Sequence, residues 1–319
     1  MIKSDRNSVS FKAAFLGVFS LLTACSPPPI PQPSANNGYS DDSWEKAVAA
    51  SCNGLPEGAQ SWAAAAPPTH IHGQTYYVGT CGITALLITS DEGHILLDGG
   101  PEEAAPLILA NIGELGFKPG DIRWIVSSHE HWDHVGSFAG LKRLTGAKVA
   151  ALPAAAEVLR SGKPHPDDPQ HAIAEPITPV KVDRVLANGE VLELDNIRLT
   201  VHATPAHAPG STSWTWQSCS GSDCKTIAYA DSATIISDDA YRFSDNPNRV
   251  SEAREGLARI SALPCDILIT PHPGASNLFQ RIVGNADLID AQACRTYSKV
   301  AESRFAVRLA KETVEAPKQ

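Results

Sequence analysis

Apolar positions in this chain switch several times between a strand period and a helix period, and the switches lay out the elements. Thr84–Ser90 (TALLITS) and His94–Gly100 (HILLDGG) are nearly continuous apolar runs split by the turn residues DEG, the pattern of a β-hairpin with buried strands. Glu102–Gly116 then takes helical spacing and stops at Gly116. Asp121–Ser128 is a short apolar strand, Gly136–Lys148 a helix ending near Gly146, and KVAAL another strand. The second half repeats the alternation, with strands predicted in Glu190–Ala206, Thr212–Cys219, Thr226–Ser232 and Cys265–His272. Helices are predicted over Val250–Leu263 and Ala286–Lys311. Strands and helices mixed in both halves predict a layered α/β fold, sheets inside and helices outside. Ser161–Pro179 is rich in Pro, Asp and His without a period, and reads as a long loop of the kind that lies over a site.

Composition narrows the class. With 319 residues and 43% apolar content, the chain can bury one large core. Its net charge of −9, with no cluster of Lys and Arg, argues against a nucleic-acid partner.

The first residues read as an export signal. Lys3, Arg6 and Lys12 form a basic start, and Ala13–Ala24 is apolar but too short to span a bilayer. Leu22-Thr23-Ala24-Cys25 resembles the lipobox of bacterial lipoproteins, which implies cleavage after residue 24 and lipidation of Cys25; an ordinary secretory signal with a coincidental cysteine is the alternative. Either way the mature chain is expected in the periplasm. By the lipoprotein sorting pattern, Ser26 favours anchoring to the outer membrane. Residues 25–43, rich in Pro, Ser and Asn, are expected to be a tether, leaving 44–319 as a single domain. Outside that signal stand Cys52, Cys81, Cys219, Cys224, Cys265 and Cys294, an even count that suits disulfides in an oxidising compartment. Cys219 and Cys224 flank a turn-like SGSD, so a local bridge is plausible there; a reduced pair or a metal site is the alternative, although this spacing makes a poor zinc motif.

SSHEHWDHVG (Ser127–Gly136) places three histidines and an aspartate within six positions at the end of an apolar strand. In extended backbone, residues two apart project to the same side, so His129 and His131 can share one ion. Asp133 and His134, at a helix start, point elsewhere and can reach a second. Zinc takes imidazole and carboxylate ligands, and a catalytic site keeps a position open for water. A lone surface histidine is ordinarily structural; four such donors packed this tightly are not. Two later histidines follow strands and precede Pro and Gly: His207 in TPAHAPGSTSW and His272 in LITPHPGASN.

In this order, HEHWDH, PAHAPGSTSWTW, YADS and CDILITPHPGASN resemble the metallo-β-lactamase superfamily, and within it the third subclass of the class B β-lactamases. The similarity runs from Trp62 to Leu309. It implies a four-layer αββα sandwich and zinc-dependent opening of the β-lactam amide bond, carbapenems included, which confers resistance; a monomer is the default expectation. It implies two zinc ions, one on His129, His131 and His207, the other on Asp133, His134 and His272. A hydroxide between the ions would attack the lactam carbonyl, with Asp133 as a ligand that orients it. Ser232 and Thr234 would bind around the second ion and the substrate carboxylate. The other two subclasses hold that ion with a cysteine, where this chain offers Ser232. Disulfides Cys265–Cys294, Cys219–Cys224 and Cys52–Cys81 are also implied by the resemblance.

One departure is Ala206, where the family usually has glycine; a modest effect on metal binding is expected. His70, His72, His94 and His202 are expected to be structural or exposed, and His165 and His171 solvated. Trp62 is expected to pack in the core rather than at the mouth of the site. The chain has no G-x-S-x-G nucleophile elbow. A lactonase or thioester hydrolase on the same fold is the runner-up, since Asp231 stands one residue from where those relatives place a metal-bridging aspartate. A metal-storage lipoprotein is the third reading, against which stands the spread of the donors from residue 129 to residue 272.

Overall fold

Strand after strand buries both of its faces, and this makes the architecture. In the computed structural model, residues 41–55 and 58–314 are described; the expected signal segment, Cys25 and most of the tether lie outside them. Helix α1 (Asp41–Cys52) begins three residues ahead of the expected boundary at Trp44. A single turn, α2 (Ala59–Trp62), follows.

The first sheet holds seven strands in chain order: β1 (Thr69–His72), β2 (Thr75–Tyr77), β3 (Leu86–Ser90), β4 (Gly93–Leu97), β5 (Ile122–Val126), β6 (Lys148–Ala151) and β7 (Arg184–Val185). The expected hairpin is β3–β4, with Leu86 opposite Leu97. From β4 to β7 the pairing is parallel, so helical crossovers are required. They are α3 (Ala105–Glu114), the short α4 (Trp132–Val135) with α5 (Phe138–Thr145), and α6 (Pro153–Ser161). The second sheet runs in the order β12-β11-β10-β9-β8, from β8 (Val191–Leu194), β9 (Ile197–Ala203), β10 (Thr212–Ser220), β11 (Asp223–Tyr229) and β12 (Ile267–Ile269). Around it lie α7 (Pro247–Ser261), α8 (Leu278–Ile282) and α9 (Ala293–Val314).

Side-chain alternation separates the layers. Leu86, Ile88, Ile95 and Leu97 face Leu199, Val201, Trp214, Ile227 and Tyr229 in the core between the sheets. Their neighbours Leu87 and Leu96 turn outward to Ile108 of α3, Phe138 of α5 and Leu159 of α6. Ala228 and Leu268 turn outward to Leu257 of α7 and Ala301 of α9. The order is helix, sheet, sheet, helix: the αββα sandwich.

Cys52 is bonded to Cys81, Cys219 to Cys224 and Cys265 to Cys294. The expected helix from Ala286 begins instead at Ala293. The carbonyls of Asp287 and Leu288 accept hydrogen bonds from the Arg281 guanidinium, at 3.0 and 2.6 Å, and so leave the helical path. Strands β1 and β2 and helix α6 carry too little periodicity to be read from the sequence.

Candidate metal centre

The functional side chains gather where strands end, on the edges the two sheets share. Parallel β4 and β5 end at Asp98 and Ser127, β9 leads to His207, β11 to Asp231, and β12 to His272. Strand ends of this kind are where α/β folds place their sites. The Ser127–His131 segment is held from the facing sheet: Trp214 Nε1 donates to the Ser127 carbonyl at 2.9 Å, and Thr212 N to the Ser128 carbonyl at 2.6 Å. His131 keeps extended backbone and starts α4, so Asp133 and His134 fall in the first helical turn, as the sequence suggested.

Ligand atoms of His129, His131 and His207 all lie within 4.8 Å of one another, and the same holds for His129, Asp133 and His134. Both groups are suited to a metal ion. His272 stands beside the second, with Nε2 3.6 Å from Asp133 Oδ2 and its ring 5.0 Å from that of His134.

The imidazoles are held from behind. His129 Nδ1 donates to Asp231 Oδ1 at 2.9 Å, His207 Nδ1 to the Thr234 carbonyl at 2.6 Å, and His272 Nδ1 to the Gly82 carbonyl at 3.1 Å. Each therefore carries its proton on Nδ1 and leaves the Nε2 lone pair to act as an acceptor or ligand. His131 is reversed: Nε2 donates to Asp168 Oδ2 at 2.7 Å, while Nδ1 lies 3.2 Å from His207 Nε2. His134 is fully buried, with Nδ1 3.2 Å from Asp98 Oδ2 and Nε2 3.3 Å from Asp133 Oδ2. Among the described residues neither nitrogen has a partner in hydrogen-bond geometry. Buried imidazole nitrogens without partners fit a bound cation. His129 belongs to both groups, yet with Nδ1 committed it offers one nitrogen and can complete only one of them; His272 Nε2 is the imidazole nitrogen beside the other.

Electrostatics agree with a cation-shaped site. Burial, then the surrounding imidazoles, pull His129 and His207 below the ordinary histidine range, so both favour the neutral, ligating form. Burial opposes charge on His134 as well, but the Asp133 and Asp98 carboxylates raise it to about 10. Burial pushes the Glu130 carboxyl up to about 7 and that of Asp231 up to about 6.

A cleft of about 1500 Å³ reaches the site at His272, the one candidate ligand in its wall, beside Trp62, Gly82, Ser232, Thr234 and Ile235. Trp62 is not core, as the sequence had suggested. Its half-buried ring stands at the rim, 5.7 Å from Trp132 and 5.8 Å from His272, because α2 ends there and the Cys52–Cys81 bond ties the neighbouring segment down. Thr234 engages the centre through its carbonyl on His207. Asp231 lies behind His129, at its Nδ1, and joins neither ligand group.

The sequence reading missed the residues behind the ligands. Asp98 accepts from Ser128 N at 2.6 Å, Ser128 Oγ at 2.7 Å and Tyr229 Oη at 2.7 Å while facing His134. An acid closing an apolar strand was its one signal. Asp168 had none, and Arg249, whose guanidinium grips the carbonyls of Pro205 and Ala206, looked like an ordinary helix-surface cation.

Known proteins share this fold. The family model of the metallo-β-lactamase superfamily matches residues 78–220. The metallo-β-lactamase MIM-1 from Novosphingobium pentaromativorans is 57% identical, over 85% of this chain and 99% of its own, with a TM-score of 0.83. The chain belongs to the metallo-β-lactamase superfamily. Several of its solved neighbours are named as subclass B3, the third subclass. MEM-A1, isolated from a soil metagenome library, is 41% identical over 80% of this chain and 100% of its own, with a TM-score of 0.77. BJP-1 of Bradyrhizobium japonicum is 30% identical over 80% and 97%, with a TM-score of 0.71. A curated relative, the hydroxyacylglutathione hydrolase of Anaeromyxobacter dehalogenans (strain 2CP-C), is 30% identical over 139 residues; the match spans 44% of each chain, less than half of that relative's length.

Proposed function

We propose that this chain is a zinc-dependent β-lactamase that opens the lactam amide bond, carbapenems included, with His129, His131 and His207 holding one zinc and Asp133, His134 and His272 a second. The observation that carries the reading is the donor arrangement: imidazoles with one nitrogen anchored or orphaned, converging with one carboxylate beside an open cleft. Imidazole and carboxylate donors in these numbers suit zinc with positions left open. Bound there, the two ions supply a polarising charge for a carbonyl oxygen and make water acidic enough to attack it near neutral pH.

The chain's own residues do the rest. Asp133 lies between His134 and His272 and orients the attacking water. Ser232 and Thr234 line the cleft beside His272, where their hydroxyls suit the substrate carboxylate. Trp62 and Ile235 give the cleft apolar wall for the rest of the ligand. Attack by water needs no acyl-enzyme, in keeping with the missing G-x-S-x-G elbow. The solved relatives named as subclass B3 metallo-β-lactamases support the substrate class. We further propose export as a monomer, anchored by lipid at Cys25 to the outer membrane and facing the periplasm, on the strength of the Leu22–Cys25 motif.

Hydrolysis of a lactone or thioester is the second reading, favoured by the curated hydroxyacylglutathione hydrolase. Against it stands Asp231, buried behind His129 rather than between the ligand groups. The deciding experiment mixes the zinc-loaded full chain with a carbapenem and follows the lactam absorbance with and without a chelator. Turnover that the chelator abolishes and zinc restores is the expected result. No turnover with two zinc ions bound would sink the β-lactamase reading and turn attention to lactones and thioesters.

A further inference from the structure

The loop between α6 and β7 sends a carboxylate into the metal centre. Asp168 is only 2% exposed, although it sits in a Pro-rich stretch with no regular structure. Its Oδ2 accepts the His131 Nε2 proton at 2.7 Å, and its Oδ1 accepts from Gln170 N at 2.8 Å. The Asp168 amide donates to the His165 carbonyl at 3.1 Å. The Pro169 carbonyl accepts from Asp238 N at 3.0 Å, which pins the turn to the segment that carries Thr234. The carboxylate and its turn are therefore held by several hydrogen bonds. Gln170, in the same turn, places its side-chain amide 3.4 Å from His207 Nε2.

His131 is the one imidazole of the centre bonded from behind at Nε2. An imidazole ring can present either nitrogen by turning over, and which one is free depends on where the other finds its partner. Its neighbours His129, His207 and His272 all find acceptors at Nδ1. For His131 the acceptor is the Asp168 carboxylate, which meets Nε2 rather than Nδ1.

We infer that Asp168 is a positioning residue of the metal centre. By taking the Nε2 proton it fixes the His131 tautomer, turns Nδ1 toward the ion shared with His129 and His207, and makes that nitrogen a better donor. The inference rests on the metal-centre reading above. The loop thereby completes a ligand through its fixed turn.

The test titrates the metal-stripped full chain with zinc against a chromophoric chelator, beside Asp168→Ala, Asp168→Asn and Asp168→Glu. Asp168→Ala is expected to lose affinity for one of the two ions by about 10- to 100-fold, with the other ion little changed. Asp168→Asn keeps an acceptor without the charge and loses less, and Asp168→Glu recovers part of the loss. With cobalt in place of zinc, the visible bands of the weakened site shift in Asp168→Ala. Thermal unfolding of the metal-free chains controls for folding. Zinc affinities and cobalt bands in Asp168→Ala equal to those of the wild type overturn the inference. A loss equal at both ions and matched by a loss of metal-free stability also overturns it, leaving Asp168 a structural bolt. A wild-type chain that binds no zinc removes the metal reading itself, and the inference with it.

Discussion

Arg249 Nη2 donates to the carbonyl of Ala206 at 2.8 Å, and Nη1 to that of Pro205 at 2.7 Å, so a buried side chain of α7 holds the two peptide units that lead into His207. Burial disfavours charge on a guanidinium, and these two hydrogen bonds offset part of that cost; Nε has no partner among the described residues. Arg249→Met leaves two carbonyls without partners, at about 1–3 kcal/mol each. Urea denaturation should show a loss of about 3 kcal/mol, and chelator competition a weaker ion at His207. Unchanged zinc affinity would show that the Thr234 carbonyl alone fixes that ring.

Ala206 itself is fully buried against the helix that carries Arg249, in the cluster of Leu257 and Ile260. A Cβ added at Gly256 would come within 2.7 Å of the Ala206 nitrogen, so the contact is already tight. Ala206→Gly removes a buried methyl worth about 0.8 kcal/mol and adds backbone freedom worth about 0.5–1 kcal/mol. The expected outcome is a stability loss of about 1–2 kcal/mol by thermal unfolding, with zinc affinity held within a few-fold. A large drop in affinity would mean that the methyl sets the backbone of His207.

Trp62 reaches the site in an edge-type contact with Trp132 and tilted against His272. If it is wall rather than ligand support, Trp62→Ala should raise KM about 2- to 10-fold, the equivalent of one aromatic contact, and leave kcat nearly alone. Steady-state kinetics on a carbapenem decide it. A fall in kcat at constant KM would instead tie the indole to the placement of His272.

Away from the site, Asp183 binds Lys142 at 2.5 Å, Lys181 at 3.2 Å and the Val149 amide at 3.0 Å. Burial works against its ionisation, but these donors bring its carboxyl down to about 2, against about 3.9 for a free aspartate. A depressed carboxylate stabilises the fold above its unfolded value and loses that contribution as pH falls through the folded one. The metal-free chain should therefore lose about 1 kcal/mol between about pH 4 and pH 2 from this group, after discounting for solvent screening. Asp183→Asn should remove that part of the slope in acid-unfolding curves; an unchanged slope would show the cluster to be energetically silent.

How far the molecule was legible depended on whether the deciding force acts locally. The β3–β4 hairpin, β5, α5, β6 and α7 announce themselves by period and apolar content. The six candidate ligands stood out because tightly spaced donors, or a histidine closing a strand before Pro and Gly, have few other uses. What stands behind them did not. Asp168 in a Pro-rich loop looks like any solvated acid until the chain folds it onto His131. Asp231 drew notice for the wrong reason, as a bridge between ions, since only the register of β11 puts it at the back of the His129 ring. Helix α9 begins late because Arg281, in the short helix just before it, takes the Asp287 and Leu288 carbonyls, a use of that side chain that hydrophobic periodicity does not reveal.

Four of the candidate donors follow β5 in the first sheet, whereas His207 follows β9 and His272 follows β12 in the second. A cation seated among them is thus a fastener between the two halves of the polypeptide, and its affinity is felt in their cohesion as much as in chemistry. An ion present at about 100 times its dissociation constant adds about 2.7 kcal/mol to the native state. Zinc starvation would then strike twice, stopping turnover and loosening the joint that a protease needs to find open.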